Sequence, residues 1–328
     1  MKAVEIKEFG DRNVLETVDI EEPSPNKGQV KIKLHVTGLN PNESYTISGT
    51  YSFVPELPYV PGYDGAGVIE EIGEGVDNFE IGDRVFLAGF TAERNTGTYA
   101  EKVVADAKRV YPAPDNLSMK EIAGLGIPAF AAYNALFLRA KIKAGEYVLI
   151  HGASGAVGSL AIQMAKAIGA IVIGTSSTEE GRKQILELGA DHAMNHLSDK
   201  NKEELSKITG GKGPDVIIEI LANENLDTDI EVIARYGRTV VVGSRDSIEI
   251  LPRNLMGNES YITGMNVSKM TEEDRNSAYH GILAFIESGA VKPLIGKSFS
   301  LDEPVEAYKE MMEGSGNGRT IFEIAKED

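Results

Sequence analysis

Between Tyr147 and Gly158 the chain reads Tyr-Val-Leu-Ile-His-Gly-Ala-Ser-Gly-Ala-Val-Gly, and this stretch constrains the fold more than any other. An apolar run of strand length meets a glycine turn, and small and apolar residues at helical spacing follow. Glycines at 152, 155 and 158 let the backbone turn tightly and approach an anion, and the helix that starts there points its amides at that anion. A small residue at 158 also lets the helix pack closely on the strand. The strict G-x-G-x-x-G pattern is not met, because Ala153 takes the first glycine position. In isolation such a triplet reads equally well as a strand–helix turn that needs small residues, so the surroundings decide.

The surroundings alternate. Tyr147–His151 reads as a strand. Val157–Ile168 reads as a helix, with Val157, Leu160, Ala161, Met164, Ala165 and Ile168 at helical spacing. Further strands are expected at Ile171–Gly174, His192–Asn195, Asp215–Ile220, Arg238–Val242 and Tyr261–Val267, with helices at Glu179–Leu188, Asn201–Ile208 and Asp227–Arg235. This order argues for an α/β fold with a doubly wound parallel sheet, and in that context the glycine loop reads as a dinucleotide site.

The first third has a different texture. Val30, Ile32, Leu34 and Val36 alternate as in a half-buried strand. Gly67–Ile72, Asp83–Leu87 and Ala100–Val104 are similar short runs, with turns at Pro41, Pro55, Pro58, Pro61–Gly62 and Gly73–Gly75. The region reads as a mostly β domain. From Lys120 to Leu138 the chain looks helical, with an interruption at Pro128. The tail from Thr271, with helices near Ser277–Ser288 and Pro304–Glu313 and a strand at Thr320–Ile324, is too short for a third domain and is expected to complete the first. The division expected is 1–122 with 268–328, against 123–267.

The second strand of the sheet bears on the cofactor. NAD-specific folds place a carboxylate there, about 20 residues past the loop, to hold the ribose 2′-OH. Gly174-Thr-Ser-Ser-Thr178 offers hydroxyls and no acid, and Arg182 and Lys183 follow. Glu179 and Glu180 fall in the first turn of the next helix, where acids suit the helix dipole. NADPH is therefore the expected cofactor.

Composition narrows the chemistry. The chain has no cysteine, which removes disulfides, iron–sulfur clusters, thiolate zinc sites and a cysteine nucleophile. Its net charge of −17 makes generic nucleic-acid binding unexpected. MKAVEIKEFGD lacks the apolar core of a signal peptide, IAKED carries no lipidation box, and no run of about 18 apolar residues exists, so a cytoplasmic enzyme with no membrane span is expected.

Gly62-Tyr-Asp-Gly-Ala-Gly67, followed by Gly73 and Val76, resembles the zinc alcohol dehydrogenase signature G-H-E-x2-G-x5-G-x2-V with every glycine spacing kept. Tyr63 replaces the zinc-binding His and Asp64 the Glu. Asn40, in Gly38-Leu-Asn-Pro41, stands where zinc enzymes carry a Cys, and their four-cysteine lobe is absent. The frame is present without its metal, so a zinc Lewis acid is not expected and alcohol oxidation is disfavoured. Ser48-Gly-Thr-Tyr51, Leu57-Pro-Tyr-Val-Pro-Gly62, Ile81-Gly-Asp-Arg-Val85, the loop at 149–158, Leu221-Ala-Asn223, Val242-Gly-Ser-Arg245 and Gly314-Ser-Gly316 resemble the zinc-free quinone oxidoreductases related to zeta-crystallin, of the medium-chain dehydrogenase/reductase superfamily. The likeness covers nearly the whole chain. One departure is Ala156, where that branch usually has glycine.

The resemblance implies a Rossmann domain beside a GroES-like catalytic domain, with NADPH as cofactor and a homodimer formed along the Tyr261–Val267 strand. It implies cofactor contacts at Tyr45, Ser154, Gly155, Ala156, Val157 and Gly158, with Ser176, Ser177 and His196 near the adenosine phosphate. Asn225, Val242, Gly243, Ser244, Arg245, Met265, Asn266 and Val267 would lie along the ribose and nicotinamide. His196 also reads as a loop histidine with no ligand. A small quinone is the expected substrate, and Asn40, Tyr45 and Tyr51 are the candidate donors to its developing oxyanion. Tyr51 also reads as a residue that only lines a wall, Asn40 as one that satisfies backbone groups, and Asp64 as structural. Reduction of activated C=C bonds in enals, enones or enoyl thioesters is the alternative chemistry. A non-enzymatic NADPH-bound structural or RNA-binding protein is the alternative of another class.

Overall fold

In the computed structural model the described residues are 1–51, 53–89, 96–314 and 316–325. Ser315 of the Gly314-Ser-Gly316 likeness lies outside them. The chain forms two units, Met1–Ile127 with Pro293–Asp328, and Pro128–Lys292.

The first unit begins with a two-stranded pair, β1 (Lys2–Glu5) and β2 (Glu16–Asp19). The main sheet uses β3 (Gln29–Gly38), β4 (Asp64–Ile72), β5 (Arg84–Ala88), β6 (Lys102–Asp106) and β7 (Val110–Pro112). Helix α1 (Glu43–Ile47) follows β3, and α2 (Met119–Ala123) follows β7. As the alternation predicts, Val30, Ile32, Leu34 and Val36 are buried on β3. Val30, Ile32 and Leu34 pack with Ile69, Val85, Leu87 and Val103 in one apolar cluster, each buried aliphatic contributing roughly 1.5–3 kcal/mol. Ser118 and Glu121 close a capping box at the start of α2.

Helix α3 (Gly126–Tyr133) continues into a π-helical turn at Asn134–Arg139. The break in the helical run therefore falls at Gly124–Leu125 rather than at Pro128. Pro128 sits in the first turn of α3, where no N–H is owed to a carbonyl one turn back.

The second unit holds β8 (Tyr147–Ile150), α4 (Ala156–Ala167), β9 (Ile171–Thr175), α5 (Glu179–Glu187), β10 (His192–Met194), α6 (Asn201–Ile208), β11 (Val216–Glu219), α7 (Ala222–Val232), β12 (Arg238–Val241), α8 (Pro252–Asn258) and β13 (Tyr261–Gly264). Its six strands lie in the order β10-β9-β8-β11-β12-β13, all parallel. The order reverses between β8 and β11, and at the carboxyl ends of such strands open α/β sheets bind their ligands. Leu149, Ile173, Met194, Leu205 and Ile217 form an apolar cluster in this unit.

Helix α9 (Glu272–Glu287) belongs to this second unit, so the unit extends to Lys292 and past the expected 267. Packing explains this. Phe285 stacks on Phe137 with ring centroids 5.6 Å apart, Arg139 pairs with Asp274 at 3.4 Å, and Gln163 bonds the backbone of Lys292 in both directions. The chain then returns to the first unit through β14 (Ile295–Phe299), α10 (Pro304–Glu313) and β15 (Arg319–Glu323), and β15 pairs with β3. Among the described residues no helix is long and apolar enough to cross a membrane.

Candidate active site

The glycine loop joins β8 to α4 as the sequence requires. Gly155 is the N-cap of α4 and no side chain caps the helix. That leaves the first-turn amides as donors for an anion. Gly158 is needed for packing, since a Cβ there would lie 2.5 Å from Ala153 Cα and 2.6 Å from the Gly152 carbonyl oxygen. Ala156 begins the helix and Val157 follows it. Ser154 is buried, its hydroxyl 3.4 Å from Ser176 Oγ and its carbonyl bonded by Gln184.

At the end of β9 no carboxylate is present. Arg182 donates to the carbonyls of Ser176 and Ser177 at 3.2 and 3.1 Å, so a guanidinium lies beside that turn. Lys183 instead faces Glu187 at 3.7 Å on an exposed helix side. Thr178 caps α5, and Glu179 and Glu180 fall in its first turn as expected. His196 lies exposed after β10, its pKa lowered by desolvation and by His151 and Arg182.

The other expected cofactor residues sit at the same sheet edge. Asn225 donates to Glu219 at 3.3 Å. Val242 and Gly243 bond the Glu219 carbonyl, Ala222 bonds that of Gly243, and the Arg245 amide bonds Asn223. The Ser244 hydroxyl donates to the Asp246 carbonyl. Past β13, the Met265 amide bonds Val241, Asn266 caps the turn at Val267–Lys269, and Val267 is buried.

In the first unit, the positions that would ligate zinc are filled by a buried polar network. Asp64 accepts two bonds from Arg319 Nη2, at 2.6 and 2.7 Å, and a third from the Ile127 amide. Arg319 also donates to the Ala123 carbonyl and to Asn40 Oδ1. Gly38 makes room for it, since a Cβ there would lie 2.1 Å from Arg319 Nε. The Asn40 amide, an expected donor to substrate, is committed to Glu43 at 3.1 Å, Asp64 at 3.2 Å and the Gly38 carbonyl at 3.4 Å. Tyr63 bonds Thr46 through its hydroxyl. A guanidinium at the heart of this cluster repels a cation, and no ligand atom of Asp64 or Asn40 is left over. The residues present do not fit zinc.

Glu43 was not singled out in the sequence. It is 1% exposed and accepts from the Asn40 amide and side chain, the Tyr63 amide and the Tyr99 hydroxyl. Burial and the Asp64 charge push its carboxyl up to about 7 against those donors. Arg319 was also missed, because it reaches Asp64 from the far end of the chain. Tyr45, on α1, stacks on Tyr51 with centroids 6.2 Å apart and planes at 17°. The Tyr51 amide bonds the Tyr45 carbonyl at 3.0 Å, which fixes the turn between them. A further trio, His151, Glu219 and Asp229, lies under the cofactor edge and was likewise unread; its signal was the His directly before the glycine turn.

Comparison with known proteins places this geometry. Residues 26–115 match the alcohol dehydrogenase GroES-like domain, and residues 156–288 match the zinc-binding dehydrogenase family. Quinone oxidoreductase of Homo sapiens is 45% identical over 324 residues, covering 98% of this chain and 97% of that protein. An NAD-dependent alcohol dehydrogenase structure has a TM-score of 0.92 at 28% identity, covering 99% of this chain and 100% of the other. The structure of Escherichia coli quinone oxidoreductase complexed with NADPH has a TM-score of 0.88 at 25% identity, covering 98% and 99%. With the dehydrogenase frame kept, its zinc-ligand positions held by Asn40 and Tyr63, and this identity along the whole length, the chain belongs to the quinone oxidoreductase family, the zeta-crystallin-like branch of the medium-chain dehydrogenases/reductases.

Proposed function

We propose that this protein is an NADPH-dependent quinone reductase that works without a metal. The observation that carries the reading is that the zinc-ligand positions hold Asn40 and Tyr63, both hydrogen-bonded within a buried network that includes the Arg319–Asp64 pair. With no Lewis acid to polarise an alcohol, the suitable acceptor is one whose reduction needs only hydrogen-bond help. A quinone is such an acceptor, because it becomes aromatic as it takes up two electrons and two protons.

The residues for the cofactor are proposed as follows. The backbone of Ser154, Gly155, Ala156, Val157 and Gly158 holds the pyrophosphate. Ser176, Ser177 and His196, with Arg182, hold the 2′-phosphate. Asn225, Val242–Arg245 and Met265–Val267 orient the ribose and nicotinamide. When bound, NADPH supplies the reducing equivalents. Tyr45 and Tyr51 are the proposed donors to the quinone oxygen as negative charge develops on it. Asn40 is proposed as a positioning residue, since it ties the start of α1, and with it Tyr45, to Glu43 and Asp64. The protein is further proposed to act in the cytoplasm as a homodimer joined along β13.

The test is loss of NADPH absorbance with ortho- and para-quinones and a panel of enones, with NADH as control. Quinone turnover with NADPH is the expected result. Turnover confined to enones moves the activity to C=C reduction. Silence with both, together with salt-sensitive RNA binding, replaces the enzyme reading with a binding one.

A further inference from the structure

Beneath the cofactor edge, three side chains from separate elements meet. His151 stands in the turn after β8, Glu219 ends β11, and Asp229 lies in α7. Each offers an atom within 4.8 Å of the other two. His151 Nε2 is 2.9 Å from Asp229 Oδ1 and 3.6 Å from Glu219 Oε2, and its Nδ1 is 3.4 Å from Thr175 Oγ1 at the end of β9. Glu219 Oε1 accepts from the Leu221 amide and from Asn225 Nδ2. The cluster thus touches three of the segments proposed to grip the dinucleotide: the glycine loop, the Thr175–Ser177 turn and the start of α7 with Asn225.

Its polar accounting is incomplete. Glu219 is 0% exposed and Asp229 1%, yet Glu219 Oε2 and Asp229 Oδ2 receive no donor from the described residues. Two buried carboxylate oxygens this close are not both stable bare and charged. One proton shared between them satisfies both.

We propose that His151, Glu219 and Asp229 are positioning residues for the cofactor: a proton held between Glu219 and Asp229 clamps α7 to the end of β11 and so fixes the helix's first turn, which carries Asn225. The inference rests on the cofactor reading above and adds its dependence on protonation. With the proton in place the cluster is neutral overall, an imidazolium, a carboxylate and a carboxylic acid. Without it the two carboxylates repel, the clamp opens, and a negative charge remains behind the amides meant for the pyrophosphate.

The surroundings agree. Burial raises the Glu219 carboxyl, His151 opposes this, and Asp229 adds to it. Burial disfavours the charged form of His151, but Asp229 and Glu219 outweigh it and raise its pKa. The titratable groups facing Glu219 are His151 from the β8 turn and Asp229 from α7. Beyond His151 stand His196 after β10 and Arg182 from α5. His196 and the cofactor's own 2′-phosphate titrate on the acid side and are unchanged in the variants used below.

The experiment is NADPH affinity of the intact protein by fluorescence titration from about pH 6 to about pH 9, with Glu219→Gln and Asp229→Asn beside the wild type. Each unit by which binding raises the shared proton's pKa is a tenfold change in Kd. The wild type is expected to weaken by about tenfold towards the alkaline end. Both variants are expected to stay flat there, because each removes one of the two repelling charges. Thermal melts report whether each variant is folded, and one folded variant is enough for the comparison. Variants that keep the wild-type alkaline profile reduce the cluster to a structural role and overturn the inference. So does stoichiometric metal in the wild type that is lost in Glu219→Gln, since a cation then stands in the proton's place. Failure of the wild type to bind NADPH or NADH at any pH is a different result: it removes the cofactor reading itself, and this inference with it.

Discussion

The Asp64–Arg319 pair shows what a single substitution of chemistry entails. Moving two charges out of water costs several kcal/mol, and the pair is tolerable because the Ile127 amide, the Ala123 carbonyl and Asn40 add hydrogen bonds to it. Arg319→Met leaves Asp64 buried without its countercharge and is expected to cost about 3–5 kcal/mol of stability, read as a lower denaturation midpoint in urea. Glu43 adds a pH dependence with a definite sign. Its carboxyl lies near 7 in the fold against 4.5 ordinarily. A raised pKa contributes stability that is fully present below about 4.5 and is lost as pH rises through about 7. The span of about 2.5 units corresponds to about 3 kcal/mol. Glu43→Gln lacks this titration, so its stability relative to the wild type should improve between about pH 5 and about pH 8; melts at the two ends check it. A gap that widens in the wild type's favour would show that the four donors, not burial, govern this group. The sequence displayed the departures at Asn40, Tyr63 and Asp64 from the zinc pattern. It did not display Arg319, because nothing in Gly318-Arg319-Thr320 marks an arginine as inward-facing.

Elements were legible where periodicity was strong and local. Helix α6 falls at Asn201–Ile208 and α10 at Pro304–Glu313 as expected, α10 with a proline in its first turn, where its missing N–H costs nothing. Helix α8 was not read, because none of its residues is buried and no apolar stripe announces it. Helix α9 starts earlier than its apolar residues suggest, at the turn capped by Thr271, and its first turn is acidic rather than apolar. Helix α7 begins at Ala222, five residues before the expected Asp227, because its first turn is set by the Glu219 network and not by hydrophobic pattern. The β8–α4 turn was readable because its small residues are required: Gly152 has φ +56°, and a Cβ at 158 would meet Ala153. Two predictions belong here. Gly158→Ala forces a shift of the loop against Ala153 and should weaken NADPH binding by about tenfold or more while lowering the melting temperature. Arg182→Ala removes the charge beside the Ser176–Ser177 turn and should raise the NADPH KM by about tenfold or more, with the NADH KM little changed. An equal rise for both cofactors would assign Arg182 to holding the turn alone.

At the scale of the whole molecule, the sheet edge makes the strongest demand. Strand β13 pairs with β12 on one side, where the amides of Tyr261 and Met265 bond the Gly237 and Val241 carbonyls. Because alternate residues of a strand point their amides to the same side, those of Ile262 and Gly264 face away from β12. Tyr261 is 49% exposed, and Met256, Leu251 and Tyr236 are exposed on neighbouring segments. An open edge flanked by large apolar side chains is an aggregation hazard unless something covers it. The net charge of −17 discourages open-ended association but does not fill the outward hydrogen bonds of one strand. A second copy pairing edge to edge would fill them and bury the apolar flank in a closed, two-fold arrangement. Light scattering should therefore give twice the chain mass of 35.3 kDa. Ile262→Pro removes an outward donor without touching the bonds to β12, and Met256→Lys places a charge in the flank; both are expected to shift the mass towards one copy. A dimer that survives both changes would place the contact on another surface, and a wild-type monomer at working concentration would leave the edge to be guarded by charge alone.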